Sequence, residues 1–298
     1  MSKIGILIDP HVMDRCRCRG DNFLETVLGK LEYIAQNNDY VLIAGDLFHT
    51  NTNSHYIFNK VYKLLTKYKG KFYAIPGNHD LLHSNISMLD KTTLGSLAIT
   101  GAINLQFGEF SIDGVTFQTS LVIKDFDKVP VDETNSKILI GHNYFEMTGV
   151  PKESFTRDEI RKLNYKLVFL GHDHMPHDEE YIGNSTLIRM GSLTRIDTQV
   201  YNRDRGIFYY QLDTETMAYE KMPVPHKPSK DVFTVEAFQR IGRKKEDVSF
   251  IQIGKVLSKF KKRDNEVNSL HSKLLKIASE REIEYIKSLH ELNGVRYF

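Results

Sequence analysis

Five times within its first 174 residues the chain closes a short apolar run with the same kind of polar cluster. The clusters are Asp9-Pro10-His11, Gly45-Asp46-Leu47-Phe48-His49, Gly77-Asn78-His79-Asp80, Gly141-His142-Asn143 and Gly171-His172-Asp173-His174. The runs before them (Ile4 to Ile8, Tyr40 to Ala44, Phe72 to Ile75, Lys137 to Ile140 and Lys166 to Leu170) have the length and continuous apolarity of buried strands. Amphipathic patterns over Phe23 to Ala35 and Ile57 to Tyr68 separate the first three, and strands alternating with helices imply an α/β fold. Phe107 to Ile123 alternates in a β manner around Asp113-Gly114, a hairpin signal. With Leu187 to Met190 and Gly206 to Leu212 as further strands, the sheets are predicted to be mixed.

In open α/β sheets, functional groups gather beyond the carboxyl ends of the strands, so five such tips can meet in one crevice although they are distant in sequence. What meets is Asp, His and Asn. These are the oxygen and imidazole donors that borderline divalent ions prefer, and the absence of Cys argues against a structural zinc. One Asp-x-His or Gly-His after a strand arises readily by chance, and a glycine there is usually a turn. Five in a consistent order are a metal site. Two ions about 3.5 to 4 Å apart polarise a phosphoryl oxygen and lower the pKa of a bridging water, so phosphoester hydrolysis is the reaction the set suits.

In order and spacing the five motifs resemble the signature of calcineurin-like metallophosphoesterases, over about residues 1 to 213. The resemblance implies an α/β two-sheet sandwich flanked by helices. It places Asp9, His11 and His174 on a first metal, Asn78, His142 and His172 on a second, and Asp46 on both. His79 is then the catalytic histidine at the leaving oxygen, with Asp80 orienting it. The Gly45-Asp46-Leu47-Phe48-His49 run is similar to the form found in the SbcD nuclease subfamily, where a histidine at the His49 position helps place the DNA end. The turn Gly191-Ser192-Leu193-Thr194-Arg195 also resembles that subfamily. A departure is the Asp9-Pro10-His11-Val12-Met13 stretch, where those nucleases continue as Asp-x-His-Leu-Gly. The chain's modest length is similar to recombination nuclease subunits of large phages. A DNA exonuclease and endonuclease of repair, recombination or replication follows as the expectation, with two divalent ions (Mn²⁺ first), DNA, an SbcC-like ATPase and a second copy of itself as partners. The alternatives are a stand-alone phosphodiesterase or phosphatase and a scaffold with a dead site.

Met222 to Ser229 holds three of the eight prolines and is predicted to be a linker, dividing a nuclease domain (residues 1 to 221) from a helical partner-binding region (222 to 298). Glu246 to Lys262 and Asp264 to Leu292 have helical patterns, and Val267, Leu270, Leu274 and Ile277 form a stripe. Residues 226 to 298 carry 16 Lys and Arg against 10 Asp and Glu, so within a net charge of +2 the tail is the basic part. Neither a leader pattern nor an apolar run long enough for a bilayer is seen, so a cytoplasmic protein is expected, in the host if phage-encoded. Cys16 and Cys18 are predicted to be free thiols. Arg15, Arg17 and Arg19 beside them are read as either phosphate contacts or a solvated loop, and the histidines outside the motifs as solvated or structural.

Overall fold

Strand β1 (Lys3–Leu7) shows how the chain builds layers. Ile4 and Ile6 enter one apolar cluster and Leu7 another, because successive side chains of a strand point to opposite faces. Both faces are therefore covered. A computed structural model describes residues 2–121, 129–146 and 154–237.

Among these residues there are two six-stranded sheets. The first runs β14-β13-β1-β2-β3-β4, with β2 at Tyr40–Ala44, β3 at Phe72–Ile75, β4 at Asn104–Leu105, β13 at Phe208–Asp213 and β14 at Tyr219–Pro223. β1 to β4 are parallel, and β13 and β14 join antiparallel. The second runs β11-β12-β10-β7-β6-β5, with β5 at Glu109–Ile112, β6 at Val115–Ser120, β7 at Ile138–Gly141, β10 at Leu167–Leu170, β11 at Glu180–Ile182 and β12 at Ser185–Ile188. Its four inner strands are parallel and its edges antiparallel. The short strands β8 (Tyr144–Phe145) and β9 (Ser154–Phe155) pair apart from both sheets.

Ile4, Ile6, Leu42 and Ile75 from the first sheet pack with Phe117, Ile138, Ile140 and Phe169 from the second, which makes the buried sandwich interior. Helices α1 (Phe23–Asn37), α2 (His55–Lys67) and α3 (Thr93–Ile99) cover the first sheet's outer face, while α4 (Arg157–Leu163) covers the second's through Ile160. Local chemistry sets their ends. Asn22 and Ser54 accept from the N–H groups of Glu25 and Ile57 to start α1 and α2, and Thr156 and Glu159 close a capping box on α4. The predicted hairpin turns at Asp113 and Gly114, with φ of 46° and 83° as a type I′ turn requires.

The Pro-rich stretch is fastened to this body. Met222 and Pro223 lie in β14, the short helices α5 (Val200–Arg203) and α6 (Ser229–Val232) follow β12 and β14, and Val224, Val232 and Phe233 are buried. The Arg19 and Phe233 backbones also form an antiparallel bridge. Compact packing thus continues to Ala237, because these apolar side chains find cover on the sheet and α1 side. The helices expected at Glu246 to Lys262 and Asp264 to Leu292 lie outside the described residues, as does the apolar stripe. No described helix is long and apolar enough to cross a membrane.

Candidate metal centre

β1, β2 and β3 are parallel neighbours in one sheet, as β7 and β10 are in the other, so their carboxyl ends bring all five motifs to one rim. Hydrogen bonds stitch the two sheets there: His142 Nδ1 to the Ala44 carbonyl at 3.1 Å, and the His172 N–H to Asp9 at 3.0 Å. The backbone is strained at the same rim. Asp9, His11 and Asp46 have φ near 50° and His172 has 80°, a left-handed region that costs a residue with a side chain about 1–3 kcal/mol. Glycine is required where chains approach closely. A Cβ on Gly45 would lie 2.1 Å from His142 Nδ1, and one on Gly77 would lie 2.0 Å from Asp46 Oδ1. These glycines do more than turn the chain, which is the reading that a lone glycine after a strand invites.

The donor atoms fall into overlapping groups. Asp9, His11 and Asp46 offer atoms within 4.8 Å of one another, and so do Asp46, His142 and His172. Asp46 belongs to both. His174 joins through His11, Nε2 to Nε2 at 2.8 Å, and Asn78 joins with its Oδ1 3.2 Å from His142 Nε2, which is itself 3.3 Å from Asp46 Oδ2. All seven residues expected as ligands are therefore together. Their chemistry fits divalent ions: Asp9 Oδ1 and His11 Nδ1 are buried without a hydrogen-bond partner, and two imidazole nitrogens face each other at hydrogen-bond distance. A cation held by Asp9 Oδ1 and the two facing imidazole nitrogens answers those groups.

Electrostatics prepares the donors. Burial holds His11 well below the ordinary imidazole pKa, and brings His172 to about 3 and His174 to about 4, so all three are neutral, the ligating form, at neutral pH. Burial also lifts Asp9 to about 7, an effect its neighbour Asp46 adds to and His142 opposes. Asp46 goes the other way: burial pushes it up, but the charge and hydrogen bond of His142, with His11 and His79, hold it below the usual carboxylate range. His142 is moved up to about 9, since Asp46 and Asp9 outweigh its burial. In charge terms the crevice waits for cations.

One expectation needs correction. Asp80 does not hold the His79 ring, because both its oxygens accept main-chain N–H groups, from Leu47 and Gly77 on one and Phe48 on the other. It clamps the two loops that carry Asp46 and His79, and a buried carboxylate among N–H groups is satisfied there without the imidazole. What orients His79 is the His49 carbonyl, 2.7 Å from its Nδ1. Of the two readings left open for the arginine loop, exposure at Arg15 and Arg17 fits the solvated one, whereas Arg19 is buried on Asp21.

His49 stacks on His79 with centroids 5.3 Å apart, and His11, His49 and His79 form a third close group. The departure at Val12 is absorbed by backbone pairing, since Val12 N–H donates to Leu47 and His49 N–H donates to Val12. Sequence reasoning missed Tyr144, whose ring lies 3.9 Å from that of His172; the aromatic directly after Gly141-His142-Asn143 was its one signal.

A two-sheet α/β sandwich with Asp, His and Asn gathered at its strand tips defines a metallophosphoesterase. The chain belongs to the calcineurin-like phosphoesterase family, whose sequence profile matches residues 2–176. Among solved structures it is similar to the protein TT1561 of Thermus thermophilus, at 14% identity over 75% of this chain and 99% of that one, with a TM-score of 0.46. It is also similar to an archaeal phosphodiesterase, at 18% identity over 74% and 99%, with a TM-score of 0.41. No curated protein matches the chain.

Proposed function

We propose that the chain is the nuclease subunit of an SbcD-type DNA-processing complex, hydrolysing DNA phosphodiesters with two divalent ions, Mn²⁺ first. The carrying observation is the His49 and His79 pair at the metal groups, joined by ring stacking and by the His49 carbonyl. When bound, the ions supply Lewis-acid polarisation and a water of low pKa. Asp46 belongs to both ligand groups and fixes their relation, and its Oδ1 accepts the His79 N–H at 2.9 Å. The His79 ring gives its Nδ1–H to the His49 carbonyl, which leaves its Nε2 as the atom to serve the departing oxygen. His49 is the group for placing a DNA end, because its ring is stacked on His79 beside the metal groups. An SbcC-like ATPase, a second copy of the chain and a cytoplasmic setting complete the reading, with the basic region beyond residue 237 as the docking region.

The test is cleavage of linear and circular DNA by purified protein with Mn²⁺, alone and with the ATPase. Degradation that chelator abolishes is expected. Hydrolysis of a small phosphodiester with both DNA substrates left intact would point to the stand-alone phosphodiesterase instead.

A further inference from the structure

A second charged cluster lies away from the metal groups, on the α1 side of the first sheet. Arg19, Lys30 and Arg195 line a cleft of about 640 Å³, closed on one side by His226 and Lys227, and none of the metal-site residues lines it. Arg19, Lys30 and Arg195 are 8%, 3% and 2% exposed, so three cationic side chains are buried beside one space. Buried charges are ordinarily paired, because an uncompensated ion out of water costs several kcal/mol. Here the pairing is incomplete. Arg19 holds Asp21 through Nε and Nη2, but Lys30 gives one hydrogen bond, to the Leu193 carbonyl at 2.9 Å. Arg195 spends its Nη groups on the carbonyls of Arg203 and Lys227, and its Nε has no partner.

The carboxylates at the cleft do not redress this. Glu25 and Glu32 line it too, but they are exposed or half-exposed and held outward by Lys60 and Lys67 of α2, at 2.7 and 2.6 Å. Asp204 acts on Arg195 from the surface, where it is bound to Ser229 and Arg203. The floor thus keeps a surplus of positive charge and of N–H donors. Burial, followed by the nearby guanidiniums of Arg19, Arg195 and Arg205, pushes Lys30 well below the ordinary lysine range, as happens when a cluster lacks its counter-ion.

We infer that this cleft binds a free phosphate-class oxyanion, inorganic phosphate or a nucleoside monophosphate, at a site separate from the metal centre. A tetrahedral dianion would accept from the Lys30 ammonium, whose other N–H groups are uncommitted, while the buried Arg195 guanidinium adds positive charge beside it and Lys227 at the rim screens its outer oxygens. The cleft is far larger than one phosphate, which leaves room for a nucleoside on it.

The inference does not rest on nuclease activity, so its test uses the full chain stripped of metal. Chelator-treated, dialysed protein is titrated with inorganic phosphate, with dAMP, with an oligothymidylate lacking terminal phosphate and with chloride at matched ionic strength, and Tm is followed. The expected result is a saturable rise of about 4 °C at a hundredfold excess over Kd, with phosphate or dAMP and not chloride. Lys30→Met should weaken that Kd at least about tenfold, the worth of one charge-assisted hydrogen bond. Lys227→Glu changes an exposed rim residue that cannot disturb the core, and it should weaken Kd about tenfold as well. Absence of a rise beyond chloride, a rise that both variants retain unchanged, or a rise seen only with an oligothymidylate lacking terminal phosphate would overturn the assignment.

Discussion

The metal crevice and the cleft beside α1 are both buried, charged and incompletely paired, but they are built in opposite senses. In the crevice three buried carboxylates, Asp9, Asp46 and Asp80, stand among imidazoles largely held neutral, and the backbone is strained to bring them together. In the cleft three cations share Asp21, and no ligand-bearing residue there has a φ in the left-handed region. The difference teaches that the fold spends conformational strain where geometry must be held for metal ligands, and only desolvation where a charge has to wait for a counter-ion. Removing a group should therefore do different things in the two places: chemistry fails in the crevice, and the pH dependence of stability changes in the cleft.

The largest effect is expected at Asp46, which both ligand groups share. Asp46→Ala should abolish high-affinity Mn²⁺ binding by calorimetry and lower turnover by at least about 10³-fold, since several kcal/mol of metal stabilisation disappear together. Retention of one tight ion with normal cleavage would break the shared-ligand reading. Next comes His79→Ala. It should keep metal affinity while losing about 10² to 10⁴-fold in kcat, the usual span for a lost proton donor. Loss of metal instead would make His79 a ligand, as its closeness to His11 allows.

His49→Ala is a finer probe. Exonuclease activity on linear duplex should fall about tenfold more than endonuclease activity on circular single strands, because only an end needs placement. Equal losses would remove the end-positioning role. The smallest effect belongs to the cleft. Lys30 has a depressed pKa in the folded chain, so between that value and its unfolded one the unfolded state binds more protons and stability rises with pH. Lys30→Met removes that dependence. In phosphate-free buffer, the Tm of the variant relative to wild type should therefore grow more favourable as pH falls from about 10 to about 6. A difference independent of pH would mean that the fold does not lower the Lys30 pKa.

The two regions also differ in what the sequence reveals. The crevice is legible because each ligand follows a strand within a few residues, so the motif and the structural context coincide in the chain, as at Gly45-Asp46 after β2. The sandwich is legible for the same reason: continuous apolar runs are what strands covered on both faces require. The cleft is not. Arg19, Lys30 and Arg195 come from a loop, a helix and a turn with no spacing in common, and Lys30 lies within α1, where a lysine is ordinarily exposed. Asp80 misleads because adjacency in sequence to His79 suggests contact, whereas the turn sends its carboxylate to the backbone of the neighbouring loop. The anchoring of Val224, Val232 and Phe233 is hidden by prolines that look like a linker.

On the proposed reading, strand tips from two sheets create a pair of ion sites sharing Asp46, and these sites cleave DNA. The direct measurement is Mn²⁺ bound per chain, counted by calorimetry on metal-free protein, with DNA cleavage followed in the same samples. The expected result is two ions per chain in wild type, cleavage appearing as the second site fills, and neither in Asp46→Ala. Binding of a single ion, or two bound ions with DNA left intact in the presence and absence of the ATPase, would contradict it.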